Sequence, residues 1–141
     1  MPVPAKVLIV DDDPVVGQTF ARMLAVSGYD VSVVHSVDAA LEAARRARPD
    51  VILTDLRMPM VDGMGLLTRV RRDDALREVP VAVVTGDHFL TDDVMADLRA
   101  YGATIRFKPL FMSDLLELVG GLIGAPTPAI LPTSPRDEGP L

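Results

Sequence analysis

Five short apolar runs, separated by stretches of helical periodicity, constrain this 141-residue chain more than any other feature. Each run ends in a polar residue, and four of the endings read VLIVDDDP, VILTDLRMP, VAVVTG and IRFKP. They place Asp11, Asp12 and Asp13 after the first run, Asp55 after the third, Thr85 after the fourth and Lys108 after the fifth. Val7 to Val10 shows no in-out alternation, as expected of a strand covered on both faces.

The stretches between the runs carry helix signals. After Pro14, the residues Val16, Phe20, Met23 and Leu24 fall on one stripe that stops near Ser27-Gly28. Ser36 reads as an N-cap for a second helix with Val37, Ala40, Leu41 and Ala44 inward, ending before Pro49 in a basic end of Arg45, Arg46 and Arg48. Asp62-Gly63 marks a turn into a third helix, with Leu66, Leu67 and Val70 inward and Arg69, Arg71 and Arg72 on the outer face. A fourth helix is expected from about Phe89 to Tyr101, closed by Gly102, and a fifth follows Pro109 with Leu115, Leu118, Val119 and Leu122 on one side. Met23 and Met95 suit gaps in a core.

Strand then helix, five times, implies right-handed crossovers and a single doubly wound, five-stranded parallel sheet of the α/β class with helices on both faces. The flavodoxin-like order 2-1-3-4-5 belongs to that fold class and puts the switch point between strands one and three, the two that end in aspartates. A domain over residues 1–124, folded from about residue 4, accounts for the pattern. Residues 125–141, APTPAILPTSPRDEGPL, are proline-rich and read as a flexible tail, with no second domain after it.

Composition removes several function classes. A net charge of −6 argues against nucleic acid as a direct partner, since phosphate binding draws on clustered Lys and Arg. With no cysteine, disulfides and thiolate metal sites are excluded. No stretch approaches the roughly 18 apolar residues of a membrane span, so a cytoplasmic protein with no membrane partner is expected. His35 and His88 fall in loops of different elements without a second ligand at metal spacing, and both read as surface histidines.

An acidic pair after strand one, D-x-x-M-P after strand three, Thr after strand four and K-P after strand five together resemble the response-regulator receiver domain of two-component signalling, over nearly all of the folded part. The resemblance implies a stand-alone switch rather than a turnover enzyme. Asp55 would accept a phosphoryl group from a histidine kinase or a histidine phosphotransfer protein. Asp11, Asp12, Asp55 and the backbone carbonyl of Arg57 would hold a cation. The chemistry agrees: an acceptor carboxylate needs little beyond positioning and charge neutralisation. Crowded carboxylates repel one another unless a hard divalent ion, Mg²⁺ here, takes their oxygens. Thr85 and Lys108 would bind phosphoryl oxygens, and the family usually has a cis bond before the proline, here Lys108-Pro109.

Added phosphoryl charge would draw Thr85 and Lys108 inward and change the face of helix four, strand five and helix five, which receivers use for a protein target or a homodimer. One position departs from the family: the usual Tyr or Phe three before the Lys is Ile105, so the ordinary aromatic coupling is not expected. Arg57 and Asp87, two past the acceptor and two past Thr85, carry opposite charges that could pair across the pocket and impede a hydrolytic water. The alternatives are a phosphatase like the haloacid dehalogenases, prompted by the D-x-D within Asp11 to Asp13, and a phosphorylation-independent pseudo-receiver. The phosphatase needs a further acidic pair after its Lys and leaves Asp55 unexplained; the pseudo-receiver sits poorly with a complete set of chemical residues.

Overall fold

The computed structural model describes residues 3–58 and 60–124. Five strands alternate with five helices: β1 (Lys6–Val10), α1 (Pro14–Val26), β2 (Asp30–Val34), α2 (Val37–Arg46), β3 (Val51–Thr54), α3 (Gly63–Arg72), β4 (Val81–Thr85), α4 (Asp92–Ala100), β5 (Ala103–Phe107) and α5 (Met112–Gly124). The strands form one parallel sheet in the order β2-β1-β3-β4-β5, the arrangement expected from the sequence. α5 runs to Gly124, and residues 125–141, expected as a flexible tail, lie outside the described residues.

Alternate residues of each strand feed opposite faces of the sheet, which is why the central strands read as unbroken apolar runs. Leu8, Val10, Ile52, Val81, Val83 and Ile105 pack on one face against α2, α3 and α4. Val7, Ile9, Val51, Leu53, Ala82 and Val84 pack on the other against α1 and α5 through Phe20, Leu24, Leu115, Leu118 and Val119. Met23 and Met95 are partly buried against these two cores, as fillers at their margins. No helix among the described residues is long and apolar enough to cross a membrane.

Helix starts follow local chemistry. Asp13, Ser36, Asp62 and Thr91 each turn a side-chain oxygen back onto a backbone N–H of the first turn, satisfying a donor that has no partner within the helix. The Thr91 cap corrects the expected start of α4: the helix begins at Asp92, three residues after Phe89. Residues 86–90 are therefore loop. Gly28 and Gly102, at φ of 98° and 81°, close α1 and α4 in the left-handed conformation that glycine adopts without strain.

Arg71 overturns a second expectation. It does not share the outer face of α3 with Arg69 and Arg72 but is 2% exposed. Four residues after Leu67 and next to Val70, it sits at the edge of the inward stripe, where the chain returning to β4 and the end of α4 cover it. Its Nε donates to the Tyr101 carbonyl at 2.7 Å, and its Nη1 to the carbonyls of Val79 at 2.6 Å and Arg77 at 3.0 Å. Burial pushes its pKa down to about 10, so the guanidinium stays charged at neutral pH. One side chain thus ties α3, the α3–β4 connection and the C-terminal cap of α4 together.

Candidate functional site

All the strand-end groups meet at the carboxyl rim of the sheet, from four adjacent strands, β1, β3, β4 and β5. Sheet pairing runs past the strand ends and sets their registry. Asp11 N–H donates to the Val34 carbonyl at 3.1 Å, Asp55 N–H to Val10 at 2.9 Å and Lys108 N–H to Thr85 at 2.8 Å.

The three consecutive aspartates divide their work. Asp13 caps α1 by accepting from Val15 N–H at 2.9 Å. Asp11 is 3% exposed; its Oδ1 accepts from Asp13 N–H at 2.9 Å and its Oδ2 faces Lys108. Asp12 is exposed. Oxygens of Asp11, Asp12 and Asp55 lie within 4.8 Å of one another. That is a compact set of hard oxygen donors of the kind that holds a divalent cation, so the residues present fit a metal ion. The part of the Arg57 backbone carbonyl in that set rests on the family resemblance.

Asp55 is half-enclosed. Its Oδ1 accepts from Leu56 N–H at 2.7 Å and its Oδ2 from Lys108 Nζ at 3.4 Å, while the same ammonium donates to Asp11 Oδ2 at 3.1 Å. Lys108 therefore bridges the two carboxylates. Burial raises the Asp55 carboxyl above its ordinary pKa of 3.8; the ammonium of Lys108 opposes this and the charge of Asp11 adds to it. The Lys108-Pro109 bond is cis.

Gly63 fixes how closely α3 approaches this acid. Its N–H donates to the Leu56 carbonyl at 2.8 Å, and a Cβ at this position would overlap the Asp55 carbonyl oxygen. The Asp-Gly pair at Asp62-Gly63 signals a turn in the sequence, but the close approach to Asp55 is a tertiary fact that no local pattern carries.

Thr85 is fully buried at the end of β4, and its Oγ1 accepts from Asp87 N–H at 3.1 Å. Asp87 and Arg57 form the ion pair their charges suggested: Nε and Nη2 of Arg57 lie 3.0 and 2.9 Å from Asp87 Oδ2, joining the loops after β3 and β4. Asp87 Oδ1 accepts from Phe89 N–H, and this bond, followed by the one from Arg57, holds the Asp87 carboxyl below its ordinary pKa. Ile105 is 8% exposed within the core under α4, an apolar side chain without a hydroxyl at its tip.

The two histidines are exposed, as expected, yet each touches the site's framework. His35 Nδ1 donates to the Asp11 carbonyl at 2.9 Å. His88 Nε2 donates to the Lys108 carbonyl at 3.0 Å, and its ring stacks on Phe107 with centroids 5.3 Å apart and planes 25° from parallel. Sequence reading missed both contacts, since neither histidine belongs to a recognisable motif.

Known proteins resemble this chain in sequence and in fold. The family description of the response regulator receiver domain matches residues 7–120. The transcriptional regulatory protein PrrA of Mycobacterium leprae is 36% identical over 118 residues, which cover 84% of this chain but 49% of PrrA, so the chain spans about half the length of that relative. The polar-differentiation response regulator DivK of Brucella anthropi is 31% identical over 121 residues, covering 86% of this chain and 98% of DivK. Among solved structures, the chemotaxis response regulator CheY4 of Vibrio cholerae superposes with a TM-score of 0.77 at 30% identity, covering 85% of this chain and 99% of its own. With sheet order, strand-end acids and bridging lysine agreeing with that match, the chain belongs to the response-regulator receiver domains of two-component systems.

Proposed function

We propose that this receiver is a phosphorylation switch in which Asp55 is the acceptor. A carboxylate oxygen of Asp55 attacks the phosphorus of a phosphohistidine on a kinase or phosphotransfer protein. The new bond is O–P, the bond broken is P–N, and the donor imidazole leaves with the electron pair and takes up a proton. Lys108 binds one phosphoryl oxygen and Thr85 another, so that charge developing on the transferred group meets fixed donors. A divalent cation, Mg²⁺ by the hardness of its ligands, supplies charge neutralisation when held by Asp11, Asp12, Asp55 and the carbonyl of Arg57. Water returns Asp55 to its free carboxylate, and the chain works as a switch read by other proteins rather than as a turnover enzyme.

The observation that carries this reading is the Lys108 ammonium set between Asp11 and Asp55, one strand beyond Thr85. Thr85 Oγ1 accepts from Asp87 N–H and still has its O–H to give to a phosphoryl oxygen, so a Thr85 drawn towards that oxygen pulls on the loop leading to α4. The α4–β5–α5 face then differs between the two states, and a downstream protein or a second copy of the chain reads it. The protein then works in the cytoplasm, beside such partners. A haloacid-dehalogenase-like phosphatase is disfavoured by the sheet position of Asp55, which that chemistry leaves without a role.

Incubating the chain with acetyl phosphate and Mg²⁺ and recording its intact mass tests the proposal. One added phosphoryl group is expected on the native chain and none on Asp55→Asn or after chelation. Equal labelling of Asp55→Asn would refute the assignment.

A further inference from the structure

Ile105 is an apolar core residue, and it has no polar tip through which the Thr85 loop and β5 could act together. The contacts of His88 supply such a link. Phe107 stands opposite Thr85 in the β4–β5 register. The Lys108 peptide is held from both sides by one segment of chain: its N–H by the Thr85 carbonyl at 2.8 Å and its carbonyl by His88 Nε2 at 3.0 Å. The carbonyl can only accept, so the bond requires the proton on Nε2. The His88 ring also lies against Phe107, giving the loop a broad contact on β5 as well as a directional one.

The remaining ties of the loop make this bracket sensitive to Thr85. Asp87 is bound through its N–H to Thr85 Oγ1 and through Oδ2 to Arg57. The next residue is His88. A displacement of Thr85 that pulls on Asp87 through this bond thus acts within one residue of the group holding the Lys108 carbonyl. Ile105, apolar and packed in the core, offers no such polar link.

We infer that His88 is a positioning residue for Lys108, coupling the Thr85 loop to β5 through its hydrogen bond to the Lys108 carbonyl and its stack on Phe107. The inference rests on the phosphoryl-switch reading of the same site. His88 touches neither Asp55 nor the acid cluster; it acts through the backbone of Lys108, so that a movement of the Thr85 loop carries the origin of the ammonium with it.

The test uses beryllofluoride with Mg²⁺ as a phosphoryl mimic, with the full chain, His88→Ala and His88→Gln compared by amide NMR and by the rate of acetyl-phosphate labelling. In the native chain, residues 86–90 and 105–108 should shift together. In His88→Ala, whose melting temperature should fall by only a few degrees, the shifts at 105–108 should fall to less than half and labelling should slow about fivefold, the ratio one net hydrogen bond represents. His88→Gln keeps a donor of similar reach and should restore labelling towards the native rate, which a merely structural role would not predict. A native response with His88→Ala indistinguishable from it, or His88→Gln no better than His88→Ala, overturns this inference alone. A native chain that neither labels nor responds to the mimic overturns the phosphoryl-switch reading and this inference with it.

Discussion

Replacing Arg71 with Met should destabilise the domain far more than its place in an arginine-rich helix end suggests. The buried guanidinium donates to three backbone carbonyls, those of Tyr101, Arg77 and Val79. Hydrogen bonds from a charged donor contribute about 1.5–3 kcal/mol each, roughly 5–9 kcal/mol for the set. Against this stands the cost of burying the charge. Burial lowers its pKa from 12.5 to about 10, which corresponds to about 3 kcal/mol. Met fills the volume of the aliphatic stem but leaves three carbonyls without their donor, so the net loss should be about 2–5 kcal/mol, a large share of a stability of roughly 5–15 kcal/mol. Urea unfolding at neutral pH measures it directly, with Arg71→Lys as the control. Lys keeps the charge but not the planar fork, so it should fall between native and Met. A loss below about 1 kcal/mol for Met, or a Lys variant no better than Met, would refute the claim that the fork is what holds these three segments. Labelling of Asp55 should survive in Arg71→Met at temperatures where it remains folded, since among the described residues the contacts of Arg71 go to Tyr101, Arg77 and Val79 and not to the acid pocket.

Two further outcomes follow from the site. Because burial raises the Asp55 pKa, the folded state favours the protonated carboxyl; the stability this contributes is fully present below the unfolded value near 3.8 and is lost as pH rises through the higher folded value. In chelator at pH 7, Asp55→Asn should therefore be more stable than the native chain, and the gap should close below the ordinary carboxylate range; urea midpoints across pH would show it, and a constant gap would contradict it. Removing the Arg57–Asp87 pair with Asp87→Ala should shorten the lifetime of the phosphorylated state several-fold by opening the pocket to water, and an unchanged rate of mass loss would set that idea aside.

What could be read from the residues was whatever depends on period and punctuation. Unbroken apolar runs gave the strands and their burial on both faces, and the polar endings gave the rim on which Asp11, Asp55, Thr85 and Lys108 meet. Reading failed where a tertiary contact outweighed a local habit. Arg71 looked exposed because arginine usually is; only the chain returning over it supplies the carbonyls that pay for its burial. α4 starts late because the Thr91 cap, with Asp92 and Asp93 in the first turn, outcompetes the apolar Phe89-Leu90 pair as a starting signal. The pairing of Arg57 with Asp87 was legible from charge and spacing, whereas the seating of His88 on Phe107 was not, since nothing in a sequence measures the distance between two loops.

Drawing its reactive groups from the ends of four neighbouring strands gives this pocket a ruler. Parallel strands sit about 4.8 Å apart, so the teeth of the comb are spaced by backbone geometry common to every sheet of this kind, not by the loops that differ between proteins. Loops can then diverge to recognise new partners while the gauge of the pocket stays the same. A chain built this way can change whom it answers to without relearning its chemistry.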